Sequence, residues 1–246
     1  MPPNRIVVSM TTSPRRIQLF HPVVDSILAQ TIQPSAIYLN LPDKFRNRET
    51  YTIPNWLNDV ASIRINQTVA EDWGPAMKIL PTLAMEREPE TVIITIDDDV
   101  IYPQSALATF AEASARQSDT AFCSMGFRFA SDSGHIQPVR EHLQRCDALQ
   151  GFSGCCYRRV HFDEAELRSE IAALPEQFQI NDDIILSNHV AAIGVKRATV
   201  KLPGKLEFTD WSDSDPDALK SVGPGTHSRY LKMREHLMAN QRWHLT

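Results

Sequence analysis

The chain of 246 residues carries 25 Lys and Arg against 30 Asp and Glu, a formal net charge of −5 at pH 7. This balance excludes nucleic-acid binding through a basic surface, and no apolar run approaches the roughly 18 residues that a membrane span needs. With 42% hydrophobic residues, the chain can bury the core of one large α/β domain. We expect a cytoplasmic protein with reduced cysteines and no signal peptide, peripheral at most to the inner face of a membrane.

Short apolar strands and polar turns alternate through the first part of the chain. Strands are predicted over residues 5–10, 36–41 and 61–66. Ser13 is expected to cap a helix that starts at Pro14, bends at Pro22 and ends near Thr31, because its apolar residues recur at helical spacing. A second helix is expected to follow Pro75. The alternation indicates an α/β fold.

The most informative stretch, residues 91–101, is an apolar run that ends in three carboxylates. Its β-branched residues favour a strand buried on both faces, and ligands of open α/β sheets bind beyond the carboxyl ends of such strands. Adjacent carboxylates repel one another and call for a cation. Alternation along the chain points Asp97 and Asp99 to one side and Asp98 to the other. Oxygen ligands suit Mg²⁺ or Mn²⁺ and leave room for a phosphate. The alternative is a solvated acidic turn.

The second part of the chain continues the pattern. Helices are predicted over residues 104–116, 164–174 and 226–237, and strands over 120–127 and 195–202. Residues 128–149 are expected to form a polar excursion over one edge, and the loop 203–225, rich in Asp, Ser, Pro and Gly, to be mobile. A helix from Asn181 is expected to end at Gly194. No boundary divides the chain, which predicts one domain.

A second acidic pair, Asp182 and Asp183, lies at the start of that helix. The structural alternative is that Asp182 is an N-cap and Asp183 a favourable charge in the first turn. Beside a metal site, however, a second carboxylate pair is what an inverting transfer requires. One set holds a cation on the leaving diphosphate, and the other deprotonates the incoming hydroxyl.

Taken in order, these motifs resemble glycosyltransferases of the GT-A fold. Asp97–Asp98–Asp99 resembles their Asp-x-Asp motif, and Asn181–Asp182–Asp183 is similar to the later acidic pair of inverting, family 2-like members. Three further segments resemble the base-binding loop, the donor-facing helix and the stretch under donor and acceptor, at residues 8–15, 72–78 and 151–157. The resemblance covers roughly residues 5–200. It implies one GT-A-like (Rossmann-like) domain, residues 1–246, with a mostly parallel sheet flanked by helices.

Within that domain, the resemblance implies a nucleotide-binding half (1–100), an acceptor and catalytic half (101–202), and a mobile loop with a C-terminal helix (203–246). It implies a metal-dependent inverting glycosyltransferase that uses Mn²⁺ or Mg²⁺. A sugar would pass from a UDP-sugar to a hydroxyl of a glycan or other, for example lipid-linked, acceptor in glycan or polysaccharide biosynthesis. Asp183 would be the base, with Asp182 as the alternative.

The remaining roles follow from the same resemblance. Donor-binding residues would be Thr11, Thr12, Arg15, Asp43, Lys78, Asp97 and Asp98. Metal ligands would be Asp97, Asp99 and His227. Acceptor-binding residues would be Gly154 and Cys155, joined by Trp211, which stands in a polar loop and could stack on a sugar ring. Asp43 replaces the Asp-Asp-Gly-Ser turn common in family 2 members.

Two other functions stay open at this point. A nucleotidyltransferase acting on a sugar phosphate also uses a sheet and metal-binding acids, but it normally has a glycine-rich basic loop, and residues 9–16 contain no glycine. A non-catalytic nucleotide- or carbohydrate-binding module would not need a base. Fold alone does not decide among the three.

Overall fold

A central sheet organises the computed structural model, which describes residues 5–46, 48–69, 71–130, 135–212 and 225–245. The strands, in chain order, are Ile6–Met10 (β1), Ala36–Pro42 (β2), Ile63–Val69 (β3), Val92–Thr95 (β4), Val100–Ile101 (β5), Thr120–Cys123 (β6), Gly126–Phe129 (β7), Ile136–Val139 (β8), Ala148–Leu149 (β9), Cys155–Arg158 (β10), Lys196–Thr199 (β11) and Glu207–Phe208 (β12). The α-helices are His21–Leu28 (α1), Leu80–Met85 (α2), Ala106–Arg116 (α3), Glu164–Ala172 (α4), Glu176–Gln179 (α5), Asp182–Ala192 (α6) and Thr226–Ala239 (α7).

Seven of the described strands form the central sheet, in the order β11-β6-β10-β4-β1-β2-β3. The strands β4, β1, β2 and β3 are parallel neighbours, as are β11 and β6. Only β10 among these runs antiparallel, pairing with both β4 and β6. The predicted fold class, an α/β fold with a mostly parallel sheet flanked by helices, is therefore confirmed.

Apolar side chains from alternate positions of each central strand enter two separate cores, one on each face of the sheet. Val7 packs on one face with Ile184 of α6, whereas its neighbour Val8 packs on the other face with Phe110 of α3. All four side chains are fully buried. Because both faces are covered, the strands need no polar side, which explains the continuous apolar runs in the sequence.

Prolines set two helix starts that differ from the predicted ones. The helix expected from Pro14 begins only at His21, after a turn and the 3₁₀ stretch Arg16–Gln18. Pro22 therefore lies in the first turn, where its missing N–H has no intrahelical partner to lose, and it causes no kink. Likewise, Gly74–Lys78 is a 3₁₀ helix, and α2 follows it from Leu80.

The strand predicted over residues 120–127 is in fact two strands. The first, β6, ends at Cys123 in the central sheet, and β7 begins at Gly126 in a separate antiparallel sheet of order β8-β7-β9. Most of that sheet lies within residues 128–149, the region expected to be a polar excursion over one edge. The predicted end of α6 is confirmed, because Gly194 adopts the left-handed conformation (φ +86°) two residues beyond Ala192.

The sequence predicted reduced cysteines and no membrane-spanning segment. The four cysteines are free and buried in the cores. Among the described residues, no helix is long and apolar enough to cross a membrane. Of the loop predicted to be mobile, residues 213–224 lie outside the described residues.

Candidate active site

A cavity of about 480 Å³ opens beyond the carboxyl ends of the parallel strands. It receives Thr12 from the loop after β1, Pro42 from the end of β2, Asp97 from the end of β4 and Asp182 from the start of α6. The volume is within the range of small-molecule sites, and the position is where ligands of open α/β sheets bind. Both acidic groups singled out in the sequence therefore line the same cavity.

The buried ammonium group of Lys78 joins these two acidic groups. Its Nζ donates to Asp97 Oδ1 at 2.5 Å and lies 3.0 Å from Asp182 Oδ2. Burial acts to lower the pKa of Lys78, but the charges of Asp182 and Asp97 together raise it well above its ordinary value. Lys78 therefore stays charged and is shared between the two carboxylates.

Asp98 points to different partners and is almost completely buried. Thr12 Oγ1 donates to Asp98 Oδ2 at 2.5 Å, and Arg16 Nη1 donates to Asp98 Oδ1 at 2.7 Å. Burial raises the pKa of Asp98 to about 6, although Arg16 acts in the opposite direction. The carboxylate thus ties the loop after β1 to the end of β4.

Asp97 and Asp99 form the pair that could hold a divalent cation. Ser212 Oγ donates to Asp99 Oδ2 at 2.9 Å, and Arg16 Nη2 lies 3.6 Å from that oxygen. The pKa of Asp99 is raised first by burial and next by the charge of Asp97, so these two carboxylates repel each other across the cavity wall. Two such oxygen donors fit Mg²⁺ or Mn²⁺, which commonly bind one or two carboxylates together with substrate phosphates.

Within the described ranges, no group of three His, Cys, Asp or Glu side chains is arranged to hold a metal ion. A cation at Asp97 and Asp99 would therefore need oxygens from a diphosphate or from water to complete its coordination.

Asp183 differs from the other acids because neutral groups hold it. The backbone N–H of Gly151 donates to Asp183 Oδ1 at 2.8 Å, and the hydroxyl of Tyr230 donates to Oδ2. Burial, followed by the charge of Asp182, raises the pKa of Asp183 to about 7. A carboxylate with a near-neutral pKa, fixed at both oxygens on a cavity wall, has the properties of a general base.

The same contact explains a glycine of the 151–157 segment. A Cβ at Gly151 would lie 3.0 Å from Asp183 Oδ1 and 3.2 Å from Lys78 Nζ. Any larger residue would push against the two charged groups. At Gly151, therefore, the backbone comes close to the protein's own acidic site.

The structure brings most of the predicted site residues together. Those that line the cavity are Thr11, Thr12, Lys78, Asp97, Asp98, Asp99, Asp182 and Asp183. Asp182 is the first residue of α6 and not its N-cap, a position taken by Asn181. Its partner is the cation of Lys78, which an N-cap would not require.

The other predicted residues lie off the cavity wall. Arg15 and Asp43 are exposed. Cys155 is buried in β10. His227 is exposed in the first turn of α7. Their assigned roles in donor, acceptor and metal binding stay predictions.

Two more predicted acceptor residues have partners within the protein. Gly154 (φ +79°) lies against Phe110 and Tyr102, which a Cβ would approach to 3.1 and 3.2 Å. Trp211 lies beneath the guanidinium of Arg16, which is 5.3 Å from its ring centre. These contacts within the protein explain the presence of both residues without a bound acceptor. The roles of Gly154 and Trp211 in acceptor binding also stay predictions.

Several cavity residues carried no recognised signal in the sequence. Arg16 directly follows Arg15, the predicted donor-binding residue, and Tyr230 comes from α7, which contains no matching motif. The exposed Phe208 has its ring centre 5.8 Å from that of Phe152. Residues of this kind include Arg16, Phe45, Tyr51, Phe208, Arg229 and Tyr230.

Comparison with known proteins identifies similar folds only. No protein-family model matches the chain, and no curated protein sequence does. Among solved structures, S. aureus TarS 1-349 in complex with UDP gives a TM-score of 0.53 at 11% identity over 83% of this chain and 60% of that one. A second structure of TarS 1-349 gives 0.55 at 11% identity over 85% and 62%. The chain thus spans about three-fifths of the TarS chains.

A nucleoside-diphosphate-sugar pyrophosphorylase from Vibrio cholerae RC9 is also similar, with a TM-score of 0.52 at 14% identity over 87% of this chain and 99% of that one. At these identities the likenesses bear on the fold alone. They confirm the GT-A-like, Rossmann-like α/β fold that the motifs predicted.

The shared cation leads to a prediction about stability. Replacing Lys78 by Met leaves Asp97 and Asp182 without their cation, which should lower the free energy of unfolding at pH 8 by about 3–5 kcal/mol. Urea unfolding at pH 8 measures this loss.

Lys196→Met is the matched control. Lys196 also pairs with an aspartate, Asp119, at 2.7 Å, but both side chains are largely exposed. Its removal should change stability little at any pH. Equal losses for the two variants would show that Lys78 is not a shared buried cation.

Proposed function

We propose that the chain is an inverting glycosyltransferase that moves a sugar from a UDP-sugar to a hydroxyl of a glycan or similar acceptor. One observation carries the proposal. The Asp97–Asp99 pair, suited to a diphosphate-bound cation, and Asp183, suited to be a base, lie on one cavity. Lys78 links Asp97 to Asp182, the residue directly before Asp183. A module that only binds nucleotides or sugars would need no such base.

At the donor end, Asp97 and Asp99 would hold Mg²⁺ or Mn²⁺. The cation, when bound, would neutralise negative charge on the departing diphosphate. Lys78 adds a positive charge beside Asp97 and also keeps that carboxylate in place. The similarity to TarS, whose structure holds UDP, supports UDP as the nucleotide.

At the other end, Asp183 would accept the proton of the acceptor hydroxyl. The acceptor oxygen forms a bond to the anomeric carbon, the bond from that carbon to the diphosphate oxygen breaks, and UDP leaves with the electron pair. Gly151 and Tyr230 fix the carboxylate orientation through their hydrogen bonds. Asp182 is less suited to this role, because its charge is already paired with Lys78.

Transfer of a nucleotidyl group to a sugar phosphate is the second candidate. The Vibrio cholerae pyrophosphorylase favours it, since the match covers 99% of that chain. The absence of glycine from residues 9–16 speaks against it. Two assays separate the candidates. UTP with a sugar 1-phosphate should yield no pyrophosphate, whereas UDP-sugars should slowly release UDP to water. The reverse pattern would replace the proposed function by the second one.

The pKa of Asp183 predicts how transfer depends on pH. A base must be deprotonated, so kcat/KM should fall about tenfold per pH unit below pH 7 and level off above it. Tyr230→Phe keeps the ring but removes the hydrogen bond that lowers this pKa, so the acidic limb should move to higher pH. Initial rates over pH 5–9 measure both effects. A limb that stays in place in Tyr230→Phe would remove Asp183 from the role.

Replacing the carboxylates by amides separates binding from chemistry. Asp183→Asn should keep UDP affinity near that of the wild type, because the diphosphate lies at Asp97 and Asp99, while transfer falls by roughly 10²–10⁴-fold. Asp182→Asn is the matched comparison and should lose less, since Lys78 keeps its bond to Asp97. Calorimetric titration with UDP and a transfer assay give the two quantities.

The ranking of the two variants decides the assignment. A larger loss in Asp182→Asn would exchange the roles of the two aspartates. Transfer at the wild-type rate in both variants would contradict the inverting mechanism itself.

A further inference from the structure

Asn181, the residue before the Asp182–Asp183 pair, has a side-chain amide with no hydrogen-bond partner among the described residues. The residue is 2% exposed and lines the cavity. Both Nδ2 and Oδ1 are buried without a hydrogen bond, and no other side chain of the described residues has two such atoms. Because buried polar groups in folded proteins are nearly always hydrogen-bonded, this amide needs an explanation.

A structural role in the fold does not explain the unpaired amide of Asn181. Asn181 is the N-cap residue of α6, yet its side chain makes no capping bond. Asn188 on the same helix shows what a structural amide looks like. Its Nδ2 donates to the carbonyl of Arg242 at 2.9 Å, and its Oδ1 accepts from the N–H of His244 at 2.8 Å. A small apolar residue would serve the fold equally well at position 181.

The position of Asn181 indicates which part of a ligand it would meet. It adjoins Asp182, which pairs with Lys78, and Lys78 pairs in turn with Asp97 at the diphosphate end of the cavity. A group attached to that diphosphate therefore reaches the start of α6. The neighbouring carboxylates disfavour a second anion there, which leaves an uncharged, hydroxyl-bearing group.

We propose that the Asn181 amide binds two neighbouring hydroxyl groups of the donor's sugar, an assignment that rests on the proposed function. The amide offers one acceptor and one donor function, which complement a pair of adjacent hydroxyls. The side chain must rotate to face the cavity, and that rotation breaks no hydrogen bond. Binding thus gains two hydrogen bonds where the resting protein has none, and a sugar without this hydroxyl pair leaves the amide unpaired.

The test compares Asn181→Ala with Asn188→Ala. Asn181→Ala should leave the Tm within about 1 °C of the wild type, whereas Asn188→Ala should lower it by roughly 4–8 °C through the loss of two hydrogen bonds. Calorimetric titration then uses UDP, UDP-glucose, UDP-galactose and UDP-N-acetylglucosamine in Mn²⁺. Asn181→Ala should bind UDP like the wild type but bind the preferred UDP-sugar about tenfold more weakly.

The outcomes separate this inference from the proposed function. A wild type that binds neither UDP nor any of the UDP-sugars would overturn the proposed function and the inference with it. A wild type that prefers one UDP-sugar, with Asn181→Ala showing the same preference, would overturn only the role of Asn181. A fall in Tm of Asn181→Ala equal to that of Asn188→Ala would assign the amide to the fold. Asn188→Ala should keep the wild-type preference among the sugars.

Discussion

The buried ammonium of Lys78 is the interaction on which the rest of the site depends. It lies between Asp97 at the end of β4 and Asp182 at the start of α6, two segments that the sequence separates widely. Without a cation, the buried Asp182 and the partly buried Asp97 would both be costly to desolvate, and one cation shared between them offsets this cost. The short 3₁₀ stretch Gly74–Lys78, which presents this cation, is therefore as important to the cavity as the acids themselves.

The hydrogen-bonding and ionic partners of each carboxylate explain why the two ends of the cavity suit different chemical tasks. Arg16 and Lys78 contact Asp97, Asp98 and Asp99, so that end of the cavity is built from charge pairs. Asp183 instead accepts hydrogen bonds from an N–H and an O–H. Neutral donors orient a carboxylate without holding its pKa as low as a cation would. One end is thus suited to bind a charged diphosphate and the other to accept a proton.

The sequence predicted the features that depend on local pattern. A parallel strand buried on both faces is an apolar run, so β4 and the acids that follow it could be located. The antiparallel direction of β10 could not be predicted, because an antiparallel strand in the middle of a covered sheet has the same apolar composition as a parallel one. Whether Arg15 or Arg16 enters the cavity depends on the dihedral angles of one turn. The contact of Tyr230 with Asp183 spans 47 residues and leaves no local pattern at all.

The most direct test of this account is a calorimetric titration of UDP into the protein, once with Mn²⁺ and once with a chelator. Asp97 and Asp99 would repel a diphosphate unless a cation lies between them, so affinity with the chelator should be at least about tenfold lower, a difference of roughly 1.4 kcal/mol. In Asp99→Asn the dependence on Mn²⁺ should largely disappear. Equal affinity with and without Mn²⁺ in the wild type would contradict the assignment of these carboxylates to a diphosphate-bound cation.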